Sequence, residues 1–371
     1  MAQIALTGPS SYTSWILARL LLRRGDPVRL LGRSCQPLMP LLNAGAQFIE
    51  GNLLAPSKVR ALLEDASALY LVTPGSGSPG DPYEIQIAHV VAGAIEASGV
   101  EHVVVLSALG ADRPGDVPHL QSKAEIEQIL LDTGRDVTVL RPGVFMDTLW
   151  LARRALDRGL FALPMHPDSA LPTVAARDVA RAALALLTHP GDGCRAYDLP
   201  GPSISTPAGI AGRLSAAWGR VVTYYRYGEA EFLAHLTALG LSQRRAALLA
   251  GLLQDYDRYA IGAAPAAWES ATRAFDFEGT TVGQFALELV AGHGPPPNLR
   301  QAMMHQSAGV AGTAPPNVTG GGAGGSAGGS AGSSSGVAGG IAGAEATHGL
   351  DALLERAFGT PEDLPTGPLP L

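Results

Sequence analysis

The segment Thr7-Gly8-Pro9-Ser10-Ser11-Tyr12-Thr13-Ser14 follows the apolar run Ile4-Ala5-Leu6 and leads into a stretch of helical periodicity. A strand, a glycine turn and a helix N-terminus in that order suit an anion, because the first amides of the helix are unpaired and its dipole is positive there. A dinucleotide fingerprint places three glycines in such a turn, for tightness, for approach of the pyrophosphate and for helix packing. Only Gly8 stands here, and Ser11 and Ser14 occupy the two later places. Both are small, so turn and packing survive while the approach narrows. Ser10, Ser11 and Thr13 bring hydroxyl donors to the same end, with Tyr12 between them. The loop is read as a dinucleotide site, although a merely capped helix after any strand would use the same residues.

The next apolar run closes with Leu31-Gly32-Arg33-Ser34, where a dinucleotide fold meets the adenosine ribose. An acidic residue there selects a free 2′-hydroxyl, whereas the planar donor fork of an arginine suits a 2′-phosphate. Arg33 therefore predicts NADP(H), with NAD(H) as the alternative should Arg33 be only a solvated surface charge. Cys35 and Cys194 have no metal-ligand or disulfide spacing, and His89, His166 and His189 form no ligand pattern, so no metal is predicted.

These residues need a scaffold. Over the first 150 residues short apolar runs alternate with amphipathic stretches, predicting strands at 2–7, 28–32, 47–50, 67–72, 102–107 and 136–141. Helices are predicted between them at 12–24, 36–44, 56–64, 83–98 and 120–133. Right-handed connection of such units makes a doubly wound sheet with its crevice at the carboxyl ends of the strands. Further on, the pattern predicts helices at 176–188, 206–218, 228–238 and 242–260 and strands at 171–174, 195–199 and 221–225. Tyr224, Tyr225, Tyr227, Phe232, Tyr256, Tyr259 and Trp268 would serve either a core or a pocket for a flat aromatic ligand.

The predicted fold is thus an α/β, doubly wound parallel-sheet Rossmann domain over residues 1–160, followed by a smaller, mostly helical lobe over 161–293. A disordered Gly/Ala/Ser-rich tail completes it, with 294–346 read as a flexible linker. In 347–371 a short apolar-faced helix at 348–358 would dock on a second copy or another protein, or else stay marginal in the tail.

Hydrophobic residues make up 46% of the chain and charged ones 16%, with a formal net charge of -7. A mildly acidic balance offers no field for a polyanion, so nucleic acid is not an expected partner. No apolar run reaches the ~20 residues that span a bilayer, and Met1 passes into the first strand with no leader pattern. A cytoplasmic protein without membrane attachment is the expectation.

In register over most of residues 1–293, several segments resemble the NmrA-like atypical short-chain dehydrogenase/reductases. They are VRLLGRS, AGAQFIEGNLLAPSKVRALLEDASALYLVTP, GVEHVVVLSALGA, HLQSKAEIEQIL, VTVLRPGVFMD, LPTVAARDVARAALALLTHPG and AYDLPGP. The resemblance implies that Asn52-Leu53 lies beside adenine, where the family usually has Asp-Leu, and that Val72-Thr73-Pro74 underlies the cofactor ribose. It implies that Ser107, His119 and Lys123 are the counterpart of the short-chain dehydrogenase Ser, Tyr and Lys. Lys123 would then bind the nicotinamide ribose and Ser107 a substrate oxygen or nitrogen. His119 would be the proton donor, with an ordinary pKa near ~6.5. The segment Arg141-Pro142-Gly143-Val144-Phe145-Met146 resembles the family's RPGxFM, implying a Pro142-Gly143 backbone beside the nicotinamide carboxamide and Phe145 and Met146 on the substrate side.

The family includes azo-dye, triphenylmethane-dye and quinone reductases, imine-reducing enzymes, and dinucleotide sensors. The leading expectation is therefore an NADPH-dependent reductase of an electron-poor aromatic, quinone, imine or enone. Two alternatives stay open on the sequence: a dinucleotide-sensing regulator without turnover, and a non-redox cyclase or coupling enzyme on the same fold.

Overall fold

The computed structural model describes residues 3–74, 82–150, 152–189, 193–238, 241, 243–259, 265–275 and 277–291. The tail expectations for 294–346 and 347–371 lie outside the described residues. In chain order the first elements are β1 (Gln3–Thr7), α1 (Tyr12–Arg24), β2 (Val28–Gly32), α2 (Met39–Asn43), β3 (Gln47–Glu50), α3 (Pro56–Leu63) and β4 (Ala66–Leu71). Then come α4 (Tyr83–Glu96), β5 (His102–Leu106), α5 (Pro118–Leu131), β6 (Asp136–Pro142), β7 (Val144–Phe145), α6 (Arg153–Leu156), β8 (Leu160–Leu163) and β9 (Leu171–Val174). The remainder is α7 (Ala176–Thr188), β10 (Arg195–Leu199), β11 (Ile204–Ser205), α8 (Pro207–Trp218), β12 (Thr223–Arg226), α9 (Glu229–Ala238), α10 (Gln243–Tyr259), α11 (Pro265–Phe275) and α12 (Val282–Val290).

Seven parallel strands lie in the order β3-β2-β1-β4-β5-β6-β10. The order reverses direction between β1 and β4, the switch point at which a doubly wound sheet opens a crevice beyond its carboxyl ends. Strand alternation divides the apolar residues between two faces. Ile4, Leu6, Leu30 and Tyr70 pack with Leu17, Ala18 and Leu21 of α1 and Val179, Ala180 and Ala183 of α7. Ala5, Leu31, Leu69 and Val103 pack with α3, α4 and α5 on the other side.

A second core joins Phe161, Ile210, Phe232, Leu253, Tyr256 and Phe285, contributed by β8 and by helices α8, α9, α10 and α12. Its small sheets are β11-β9-β7 and β12-β8.

Two elements expected within the 161–293 lobe belong to the main sheet instead. Arg195–Leu199 pairs in parallel with β6, supplying the hydrogen bonds that β6 would otherwise expose as an edge. α7 lays its stripe of alanines, valine and leucines on α1, and small residues allow that close approach. The chain thus enters the lobe after β6, returns to the sheet for α7 and β10, and leaves again. α11 and α12 fall outside the helices predicted from periodicity, yet Thr281 and Gln284 form a capping box, a signal present in the sequence.

Candidate active site

At the switch point Gly8 has φ +54°, and a side chain there would meet Val72 Cβ at 3.2 Å. A residue with a Cβ is therefore strained twice over at this position. Thr7 Oγ1 donates to the Val72 carbonyl (3.0 Å) and accepts from the Val72 amide (2.7 Å), tying the ends of β1 and β4 together. Ser11 is the N-cap of α1 and accepts from the Ser14 amide (3.2 Å). The Ser14 hydroxyl donates to the Thr7 carbonyl (2.8 Å). Where a glycine fingerprint relies on absent side chains, this loop uses serine hydroxyls to hold the turn.

Ser10 and Tyr12 stand partly exposed at its rim. Thr13 corrects the sequence expectation: it is 1% exposed, and its hydroxyl lies by the Tyr70 phenol in the core rather than at the crevice. The turn and helix start still fit a pyrophosphate, through backbone amides more than hydroxyls.

Arg33, just beyond β2, is exposed and forms no ion pair with the described residues. A free guanidinium at this strand end is what a 2′-phosphate requires. Asn52 accepts from the Leu54 amide (2.9 Å) through Oδ1, which leaves its NH2 outward. Leu53 is half-buried against the core behind it.

Deeper in the crevice, Lys123 and Thr73 meet a residue that the family motifs did not point to. Lys123 donates to Thr73 Oγ1 (2.9 Å) and to Glu84, and Thr73 donates to Glu84. Glu84 is fully buried. Burial alone would raise its carboxyl, but the Lys123 cation and the hydrogen bonds from Lys123 and Thr73 outweigh burial and hold it below the ordinary carboxylate range. The signal was in the helix: Glu84 is in phase with Ile87, Ala88, Val91 and Ile95 on the buried face of α4, and a buried acid demands a partner. Pro74 is exposed at the end of this strand segment.

Ser107 lies one strand away, 6% exposed, and its hydroxyl donates to Glu127. Glu127 in turn receives two bonds from Arg141, at 3.1 and 2.6 Å. The hydroxyl expected to meet substrate is thus donated to a carboxylate, leaving only its lone pairs to offer. His119 is partly exposed, and burial, then the Lys123 cation, push its imidazole down to about 4. A neutral imidazole at pH 7 fits the expected proton donor poorly.

Pro142 and Gly143 carry the chain out of the sheet. A Cβ at Gly143 would lie 2.6 Å from the Pro172 carbonyl oxygen, so the close pass of β9 requires glycine. Immediately afterwards Val144, Phe145 and Met146 line a partly open cavity in the second core with about 70 Å³ of free space, its wall continued by Phe161, Phe232 and Leu253. Phe145 and Met146 therefore stand in the wall of an apolar cavity that begins two residues after β6 ends. Among the described residues no group of three His, Cys, Asp or Glu is placed to hold a metal, and no helix is long and apolar enough to cross a membrane.

A family profile described as NAD(P)H-binding matches residues 13–190. The NAD(P)H azoreductase of Xenophilus azovorans is 29% identical over 228 residues, covering 61% of this chain and 78% of that protein. The (4-alkanoyl-5-oxo-2,5-dihydrofuran-3-yl)methyl phosphate reductase of Streptomyces griseus is 30% identical over 204 residues, covering 54% and 69%. The structure of an NADPH-dependent quinone oxidoreductase from Escherichia coli, complexed with NADPH, superposes with a TM-score of 0.66 at 23% identity over 77% of this chain and 99% of that one. At that identity the superposition speaks for the fold alone.

Proposed function

The chain belongs to the NmrA-like atypical short-chain dehydrogenase/reductases, a family of NAD(P)H-binding oxidoreductases, and from that premise we propose that it reduces an electron-poor aromatic, quinone, imine or enone with NADPH. One observation carries the reading: the Pro142-Gly143 segment at the end of β6 leads within three residues into the wall of an apolar cavity. A crevice suited to a dinucleotide thus adjoins a water-poor chamber. The azo and quinone acceptors in the relatives' names are conjugated molecules of the kind such a chamber favours.

The turn at Gly8 and the start of α1 would hold the pyrophosphate, Arg33 the 2′-phosphate, and Asn52 the adenine edge. Lys123, oriented by Glu84 and Thr73, has a third N–H to direct at ribose hydroxyls. NADPH supplies a hydride, and a quinone that takes it up with one proton becomes a hydroquinone. Phe145 and Met146 would exclude water and align the acceptor, which is the larger part of what the protein has to contribute. His119 is neutral at pH 7 and would orient an acceptor or a water rather than act as the acid, so the proton comes from solvent.

The test is NADPH oxidation by purified protein against a panel of quinones and azo and triphenylmethane dyes. Lys123→Ala and Arg33→Ala are each expected to weaken NADPH binding by roughly 10- to 100-fold, as the loss of a charged hydrogen bond does. Arg33→Ala should leave NADH binding unchanged. NADP(H) binding with no turnover of any acceptor would replace this reading with the sensor alternative.

A further inference from the structure

The cavity behind Phe145 is defined by what it lacks. Among the described residues, none that lines it is an Asp, Glu, Lys or Arg. His235 lines it stacked on Tyr227, with ring centroids 5.3 Å apart, and burial pushes its imidazole down to about 4, so at pH 7 it brings no charge. Of the two lining threonines, Thr148 already donates to the Phe145 carbonyl (2.8 Å). Thr173 differs: it is 4% exposed, and its hydroxyl has no hydrogen-bond partner among the described residues. A buried hydroxyl left in that state costs free energy, which a ligand atom would recover. Thr173 pairs with Val144 across β9 and β7, beside the Gly143 crossing and hence at the end of the cavity nearest the crevice.

We propose that this cavity admits one edge of the acceptor only when that edge carries no charge, and that Thr173 is its polar anchor, donating a hydrogen bond to a carbonyl oxygen or imine nitrogen on that edge. The proposal rests on the reductase reading above and narrows it. An acceptor anionic on that edge would have to leave its charge unpaired among leucines and phenylalanines. The phosphate of an ester of the kind named for the Streptomyces griseus relative is therefore kept out of this cavity.

The experiment uses the full chain loaded with NADP+, titrated calorimetrically with 2-methyl-1,4-naphthoquinone and with 1,4-naphthoquinone-2-sulfonate. The uncharged quinone is expected to bind on the order of 100-fold more tightly than the sulfonate. Thr173→Val should weaken binding of the uncharged quinone roughly three- to ten-fold, the worth of one neutral hydrogen bond. Thr173→Ser should restore it, with NADPH affinity and melting temperature unchanged in both variants. Equal binding of the two quinones, failure of both to bind, or wild-type affinity in a folded Thr173→Val protein each overturns the proposal. Should Thr173→Val not fold, the quinone pair on the wild-type protein still decides. Absence of NADPH oxidation with a quinone that does bind would overturn the reductase reading and leave the assignment of the cavity standing.

Discussion

Glu84 and Lys123 meet inside the protein with side chains 0% and 8% exposed. A pair this deep loses most of its hydration, and its attraction offsets that loss only while both partners are present. Removing one charge strands the other. Glu84→Gln is expected to cost about 3–5 kcal/mol in denaturant unfolding at pH 7, whereas Glu84→Gln combined with Lys123→Met should cost less than Glu84→Gln alone. A double variant that is the sum of two full penalties would mean that the pair is not coupled. Because the Glu84 carboxyl is held below the ordinary range, its contribution is complete at neutral pH and is lost as pH falls through its folded value.

At the scale of elements, α7 begins at Ala176, and its N-cap, Ala175, has no hydrogen-bonding side chain to cap it. The acceptor comes instead from Asp147, in the 3-10 turn Met146–Trp150, which receives the Ala176 amide at 2.8 Å. This bond links the lobe to a helix of the main sheet. Burial pushes the Asp147 carboxyl up to about 6, the Ala176 amide offsetting only part of the shift. The folded state therefore holds this proton more tightly than the unfolded chain, and stability falls as pH rises from about 4 through 6. Asp147→Asn keeps an acceptor for the amide and cannot ionise. Its stability should match wild type near pH 4 and exceed it by about 1–3 kcal/mol at pH 7, measured by thermal unfolding across that range. Parallel pH curves for the two proteins would rule out Asp147 as the titrating group.

At the scale of the molecule, the sheet and the lobe interleave along the chain. A fragment ending at residue 160 would leave Leu17, Ala18 and Leu21 of α1 without α7 and would turn β6 into an open edge. Such a fragment is expected to bind a hydrophobic dye and melt without cooperativity, while a chain ending at residue 291 melts in a single sharp transition. A cooperative melt for the shorter fragment would mean that the first 160 residues fold alone. Interleaving also brings the chain from the end of β6, across the close pass of Gly143 over Pro172, straight to Val144 and Phe145 in the cavity wall.

Period and punctuation in the sequence were enough for the first half of the fold. Strands β2 and β3 and helix α1 lie where alternation, 3.6-residue spacing and Gly25 place them, because each local preference there agrees with the tertiary arrangement. The places of Gly8 in its turn, Arg33 at its strand end and Lys123 on its helix were legible for a similar reason: backbone conformation, strand end and helix register are local properties. Partnership is not local. That Arg195–Leu199 joins the large sheet, that Thr13 turns inward, and that Ser107 is spent on Glu127 depend on segments dozens of residues apart meeting in three dimensions. So does the cavity, whose walls come from distant stretches of the chain and whose open hydroxyl, Thr173, is an ordinary strand threonine until every neighbour's hydrogen bonds have been counted.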